Sequence, residues 1–185
     1  MRPPCTTAAA ALLLLCACGG IDNTPFDRGG VIGRVLRAQV GGGRVVLMGD
    51  APQVATFGND GTFRFDSVPT GPHQLLVVAS DAEALRVPVE VRPAELADLS
   101  VLDPAPAAFI VINLSTYGAV DECSVQVRLT DLDAVHAETG SPRFVAGPLG
   151  AGCYDATMQH NGSEFWRQTD ICLGVGEQQA YDVIW

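Results

Sequence analysis

Between Gly30 and Leu102 the chain is cut into short β-branched runs separated by turn chemistry, a punctuation that favours strands over every other element. The runs cover 31–36, 44–48, 53–57, 62–65, 73–79, 85–91 and 96–102. Seven strands at roughly 8–12-residue spacing are the signature of a β-sandwich. No stretch keeps a 3.6-residue apolar period with caps, so helices are not expected. Asn59-Asp60-Gly61 offers the positive-φ residues of a tight hairpin, and Val68-Pro69-Thr70-Gly71-Pro72 interrupts donors and period before the next strand. After Asp103-Pro104-Ala105-Pro106-Ala107-Ala108, whose prolines favour an extended path, runs resume at 109–114, 124–129, 143–146, 154–159, 164–173 and 179–185. The expectation is an all-β chain with two small β-sandwich domains, 30–102 and 109–185, joined by a Pro/Ala linker at 103–108.

The first residues belong to targeting rather than to the fold. Arg2 is a small positive n-region, and residues 8–15 form an apolar h-region far too short to span a bilayer. Leu15-Cys16-Ala17-Cys18 resembles the bacterial lipobox, in which the final cysteine receives diacylglycerol before cleavage. Residues 1–17 therefore read as a lipoprotein signal peptide, Cys18 as the lipid-bearing residue, and 18–29, Gly-, Asp- and Pro-bearing, as a flexible tether. The alternative is an ordinary signal peptide cut near Ala17, which would leave Cys18 as a free thiol. With Cys18 lipidated, the protein would sit at the membrane surface of a bacterial cell envelope. Gly19 rather than Asp after Cys18 favours, by analogy with sorting preferences, the outer membrane.

Charge narrows the partners. The formal charge is −10, and all eleven basic residues are Arg. Such a field repels nucleic acid and anionic lipid surfaces, so no nucleic-acid partner is expected. Without Lys there is no P-loop lysine, no Schiff base and no lysine isopeptide cross-link.

Three segments in order carry a resemblance: Gly30-Val31-Ile32-Gly33-Arg34-Val35; Val54-Ala55-Thr56 leading to Asp60-Gly61-Thr62-Phe63-Arg64-Phe65; and Val68-Pro69-Thr70-Gly71-Pro72-His73-Gln74-Leu75. Over about residues 30–102 the chain resembles the carboxypeptidase regulatory-like domain, one of the transthyretin (prealbumin)-like sandwiches. The resemblance implies a transthyretin-like first domain and an accessory role beside other envelope proteins, without chemistry of its own; fold analogy supplies no further function. Weak self-similarity points to a second related sandwich, with Gly152-Cys153-Tyr154 in the place of Gly71-Pro72-His73, and Gly176-Glu177 opening the last turn and strand.

Six cysteines lose Cys5 and Cys16 to the signal and Cys18 to the lipid, which leaves Cys123, Cys153 and Cys172 in an oxidising compartment. If Asn161-Gly162-Ser163-Glu164 is a four-residue hairpin loop, Cys153 and Cys172 stand directly opposite, near the separation a disulfide needs. Cys153–Cys172 is favoured and Cys123–Cys153 is the rival. Cys123 reads as a buried, inert thiol.

Motifs of catalysis are missing: no zinc-binding His-Glu pair, no Gly-x-Ser-x-Gly elbow and no dinucleotide glycine fingerprint, so no cofactor is expected. His73, His136 and His160 are scattered and read as surface or turn residues. Asp131, Asp133 and Glu138 form one local acidic cluster that could hold calcium through oxygen ligands, but no glycine occupies the sharp-turn position of a calcium loop, which favours a solvated loop instead. Trp166 and Trp185 could stack on a sugar or pack in a core. The sequence thus favours a noncatalytic, lipid-anchored envelope module that binds a protein or polysaccharide partner. A carbohydrate-binding module, or a hydrolase with an unrecognised site, is the alternative.

Overall fold

A computed structural model describes residues 27–115, 124–139, 143–160 and 162–184, with the side chains at 124 and 133–139 outside the description. The chain is all β. Strands β1 (Arg28–Val35), β2 (Arg44–Met48), β3 (Gln53–Thr56), β4 (Thr62–Pro69), β5 (Gly71–Ser80), β6 (Glu83–Val91) and β7 (Leu96–Leu102) build the first sandwich. One of its sheets has the order β4-β1-β7, with β7 parallel to β1; the other runs β3-β2-β5-β6 and gains β8 (Ala105–Pro106) at its edge.

The second sandwich repeats this plan strand for strand. It contains β9 (Ala108–Ser115), β10 (Ser124–Leu129), β11 (Leu132–Thr139), β12 (Arg143–Leu149), β13 (Gly152–His160), β14 (Ser163–Leu173) and β15 (Gln178–Ile184). Its sheets run β12-β9-β15, again with the last strand parallel to the first, and β11-β10-β13-β14. Thus β13 takes the place of β5, and β15 that of β7, as the Gly152 and Gly176 correspondences anticipate.

Two apolar clusters form the interior. One holds Val31, Val45, Leu47, Phe63, Phe65, Leu75 and Val77 between the sheets of the first sandwich. The other fills the second sandwich with Ile110, Ile112, Phe144, Tyr154, Met158 and Ile171, and it also takes in Val46, Met48, Leu76, Val78 and Ala84 from the first. Successive residues of a strand point to opposite faces. The central sheet is therefore buried on both: Val45 and Leu47 face the first core while Val46 and Met48 face the second, and Leu75/Val77 and Leu76/Val78 divide in the same way. The continuous apolar runs Val45-Val46-Leu47-Met48 and Leu75-Leu76-Val77-Val78-Ala79 are what two-sided burial requires.

The Pro/Ala segment is part of this joint. Ala105–Pro106 pairs with Ala84 and Glu83, and Ala107 and Ala108 are buried. Arg37 grips its start, donating to Asp103 at 2.6 Å, to the Pro104 carbonyl at 3.0 Å and to Glu83 at 3.1 Å. These partners, Asp103 foremost, push the Arg37 guanidinium further up from its ordinary range.

The turn at Asn59-Asp60-Gly61 differs from its expected role. It joins β3 of one sheet to β4 of the other, and so is a corner between sheets rather than a hairpin. Asp60 Oδ1 accepts from the Thr62 hydroxyl at 2.7 Å and the Thr62 N–H at 3.1 Å. Gly61 has φ +79°, and a Cβ there would lie 2.4 Å from the Val35 carbonyl oxygen, so both conformation and space call for glycine. At the second motif His73 Nε2 lies 2.7 Å from the Pro69 carbonyl, a bond that its N–H donates across the corner.

Candidate functional site

Cys153 and Cys172 face each other on β13 and β14 and form a disulfide on the exposed side of their sheet. The register reaches this pairing by a different route from the four-residue loop. His160 pairs with Ser163, so the connection is two residues long, and on that turn alone Cys153 would face Asp170. Two irregularities in β14 each add a residue. The register with β13 steps over Phe165 between Glu164 and Trp166, and Thr169 and Asp170 together oppose Asp155. Asp170 takes φ 55° and its N–H donates to Asp155 Oδ1 at 2.9 Å, which holds the second bulge.

The acidic cluster does not form a loop. Asp131 sits at the β10–β11 turn with φ 66°, while Asp133 and Glu138 lie on β11, which pairs with β10 through Glu138 opposite Val125. Strand rise alone separates Asp133 from Glu138 by about 16 Å along the backbone; their side chains lie outside the described residues. Cys18, Cys123 and Trp185 also lie outside them. Trp166 packs against the second core, its ring 5.9 Å from that of Tyr181.

A concave surface lies on the outward face of β4-β1-β7. Val31, Gly33 and Val35 point inward and are buried, so Ile32 and Arg34 point outward from the central strand. Ile32 pairs with Arg64 on one side and Asp98 on the other, and Arg34 with Thr62 and Val101. Together with Val54 and Thr56 of β3 they line an open groove of about 830 Å³. A smaller hollow of about 620 Å³ lies further along β1, lined by Arg28, Glu95 and Leu96. Val54, Val101 and Leu96 are 58%, 54% and 44% exposed. Val101 and Leu96 stand on β7 and Val54 on β3 of the other sheet, so exposed apolar side chains border the concave surface from both sheets.

Charged groups of this trough are engaged by their neighbours. Arg64 is paired with Asp66 at 2.7 Å, and Arg28 donates to the Ser67 carbonyl at 2.6 Å. Asp98 Oδ1 accepts from the Ser100 N–H at 2.7 Å, which supports a bulge where Leu99 and Ser100 oppose Gly33 and so turns Val101 outward. Groups with displaced pKa values lie elsewhere and are engaged in structure. The Thr62 bonds hold the Asp60 carboxyl below its ordinary range, and bonds from Gln179 and then the Gly174 N–H do the same for Glu177. Burial raises the Tyr154 hydroxyl against the opposing Arg86.

No family model and no curated protein matches the chain. Similarity extends to solved structures. A DUF3823 family protein from Bacteroides ovatus shares 12% identity at a TM-score of 0.34, over 78% of this chain and 97% of that one. The minor pilin of Streptococcus agalactiae shares 11% at 0.29, over 84% and 94%. The TIE protein of Bacillus anthracis shares 13% at 0.34 over 86% of this chain, which spans only 34% of that protein's length. Identities and scores this low assign no task to the chain.

Sequence reading missed the trough. Ile32 and Arg34 are visible as alternating with Val31, Gly33 and Val35, but only the pairing of β1 with β4 and β7 brings Arg64, Asp98 and Val101 beside them.

Proposed function

We propose that this protein is a noncatalytic accessory module of a bacterial envelope, lipid-anchored through Cys18 and probing its surroundings with the outward face of β4-β1-β7. The resemblance of residues 30–102 to the carboxypeptidase regulatory-like domain, carried by the Asp60-Gly61-Thr62-Phe63 and Val68-Pro69-Thr70-Gly71-Pro72-His73 corners, supports an accessory role, and the second sandwich repeats the topology of the first. The observation that carries a binding role is the trough: exposed Val54 and Val101 and half-buried Ile32 beside Arg34, Arg64 and Asp98. Apolar contact area with charged groups around it is what a protein surface or a glycan chain needs for orientation and affinity. The tether supports the placement. β1 begins at Arg28, so Cys18 lies ten residues away, a reach of at most about 35 Å.

Two measurements test this reading. Radiolabelled palmitate should enter the parent chain and be lost in Cys18→Ser; undiminished labelling of that variant would remove the anchor. A photo-crosslinking residue at Val101 should trap a partner in intact envelopes, and one at the equally exposed Val175, outside the trough, should not. Equal trapping at both positions, or hydrolysis of an envelope polymer abolished by one acidic substitution, would overturn the binding assignment.

A further inference from the structure

A second groove, of about 310 Å³, lies at the seam of the two sandwiches, where the β2–β3 turn meets the outward face of β10, β13 and β14. The Gly49 N–H donates to the Asp131 carbonyl at 3.1 Å and ties the two turns together at its rim. Junctions of this kind are favoured places for small-ligand sites.

Its floor is a cross-strand row. Arg128 of β10 pairs with Thr157 of β13, which pairs with Arg167 of β14. Their chain neighbours Val127, Leu129, Ala156 and Met158 are buried in the second core, so the row faces outward into the groove. Thr157 is nonetheless only 8% exposed, the one polar side chain among the described residues that is buried, and its hydroxyl makes no hydrogen bond among them. No buried side-chain oxygen among the described residues is both sealed and unpartnered, so this hydroxyl opens into the groove. Arg167 is held by Glu164 at 2.8 Å, whereas Arg128 has no ion pair or hydrogen bond among the described residues. A free guanidinium beside a nearly buried, unpaired hydroxyl is a ready receptor for one carboxylate.

The rim selects among anions. Asp50 and Asp131 line it from the two turns, and Gln159, two residues from Thr157 on β13, lines it as well. Two carboxylates repel a dianion such as phosphate, but they accept hydrogen bonds from neutral hydroxyls. We infer that the groove binds a sugar carrying a single carboxylate, a hexuronic acid unit, with the carboxylate on Arg128 and the Thr157 hydroxyl and the ring hydroxyls on Asp50, Asp131 and Gln159. This site is separate from the trough and goes beyond the partner reading above.

The test is calorimetric titration of the full chain in detergent micelles with trigalacturonate, using the fully methyl-esterified trimer as the neutral control. Trigalacturonate should bind at least tenfold more tightly than the ester. Arg128→Gln should weaken it about tenfold, in the range of one charge-assisted bond. Thr157→Val, which keeps the branched shape, should weaken it about fivefold with an unchanged melting temperature. Equal affinity for acid and ester, parent-like affinity in both variants, or no trigalacturonate binding at millimolar concentration would overturn the assignment. The same titration on Cys18→Ser should give the parent affinity, so failure here is distinct from failure of the anchor.

Discussion

Asp60 shows how much of a fold can rest on one exposed carboxylate. It accepts two hydrogen bonds from Thr62 and so fixes the corner where the chain leaves one sheet for the other. Those bonds favour its ionised form and hold its pKa below the ordinary value. A carboxyl depressed in the folded state stabilises that state above its unfolded pKa, and the contribution disappears as pH falls through the lower, folded value. Glu177, depressed by Gln179 and Gly174, acts in the same direction. Asp60→Ala should therefore melt below the parent at neutral pH, with the gap closing as pH drops below about 4. Melting curves at several pH values decide it, and a gap that stays constant into acid would show that charge is not what holds the corner. The turn itself is legible in Asn59-Asp60-Gly61; that it changes sheets is not, because a tight turn has the same local chemistry whether or not its flanking strands pair.

At the scale of elements, the strands were legible wherever β-branched residues alternate, and β11 shows where that signal fails. Asp133, His136 and Glu138 leave it few strand formers, and its order comes from pairing with β10, a partner no local pattern reveals. The hairpin of β13 and β14 teaches a related lesson. A two-residue turn with two bulges brings Cys153 opposite Cys172 just as a bulge-free four-residue loop would, so the pairing was legible although its register was not. Bulges depend on contacts such as Asp155 to Asp170 that a residue count cannot see. The bridge closes a segment with a sequence separation of 19. Restricting the unfolded chain over that length is worth about 3 kcal/mol. Cys153→Ser should lose that much in urea denaturation under oxidising conditions, and reductant should lower the parent to the level of the variant. Indistinguishable midpoints would mean that the bridge adds nothing to stability.

Across the whole molecule, the central sheet makes one unit of two sandwiches that the proline-rich segment alone would suggest were beads on a string. Its far face is completed by the second core, and Arg86 fastens the seam: its guanidinium lies 5.0 Å over the Tyr154 ring and donates to the Cys153 carbonyl at 2.5 Å. The chains approach so closely that a Cβ on Gly150 would lie 2.3 Å from the Arg86 backbone nitrogen. Two cores that share a sheet should not unfold separately, because melting either one exposes an apolar face of the other. Leu76, 4% exposed on the face turned to the second sandwich, tests this directly. Leu76→Ala should cost roughly 2–5 kcal/mol. At roughly 2–4 °C per kcal/mol for a chain of this size, the melting temperature should fall by about 5–15 °C. The decisive readout is the form of the transition. Tyr154 and Trp166 belong to the second sandwich while Leu76 belongs to the first, so the aromatic signal should shift together with far-ultraviolet dichroism in one step. A first-half transition that moves while the aromatic signal stays in place would separate the sandwiches and remove the rigid seam on which the junction groove depends.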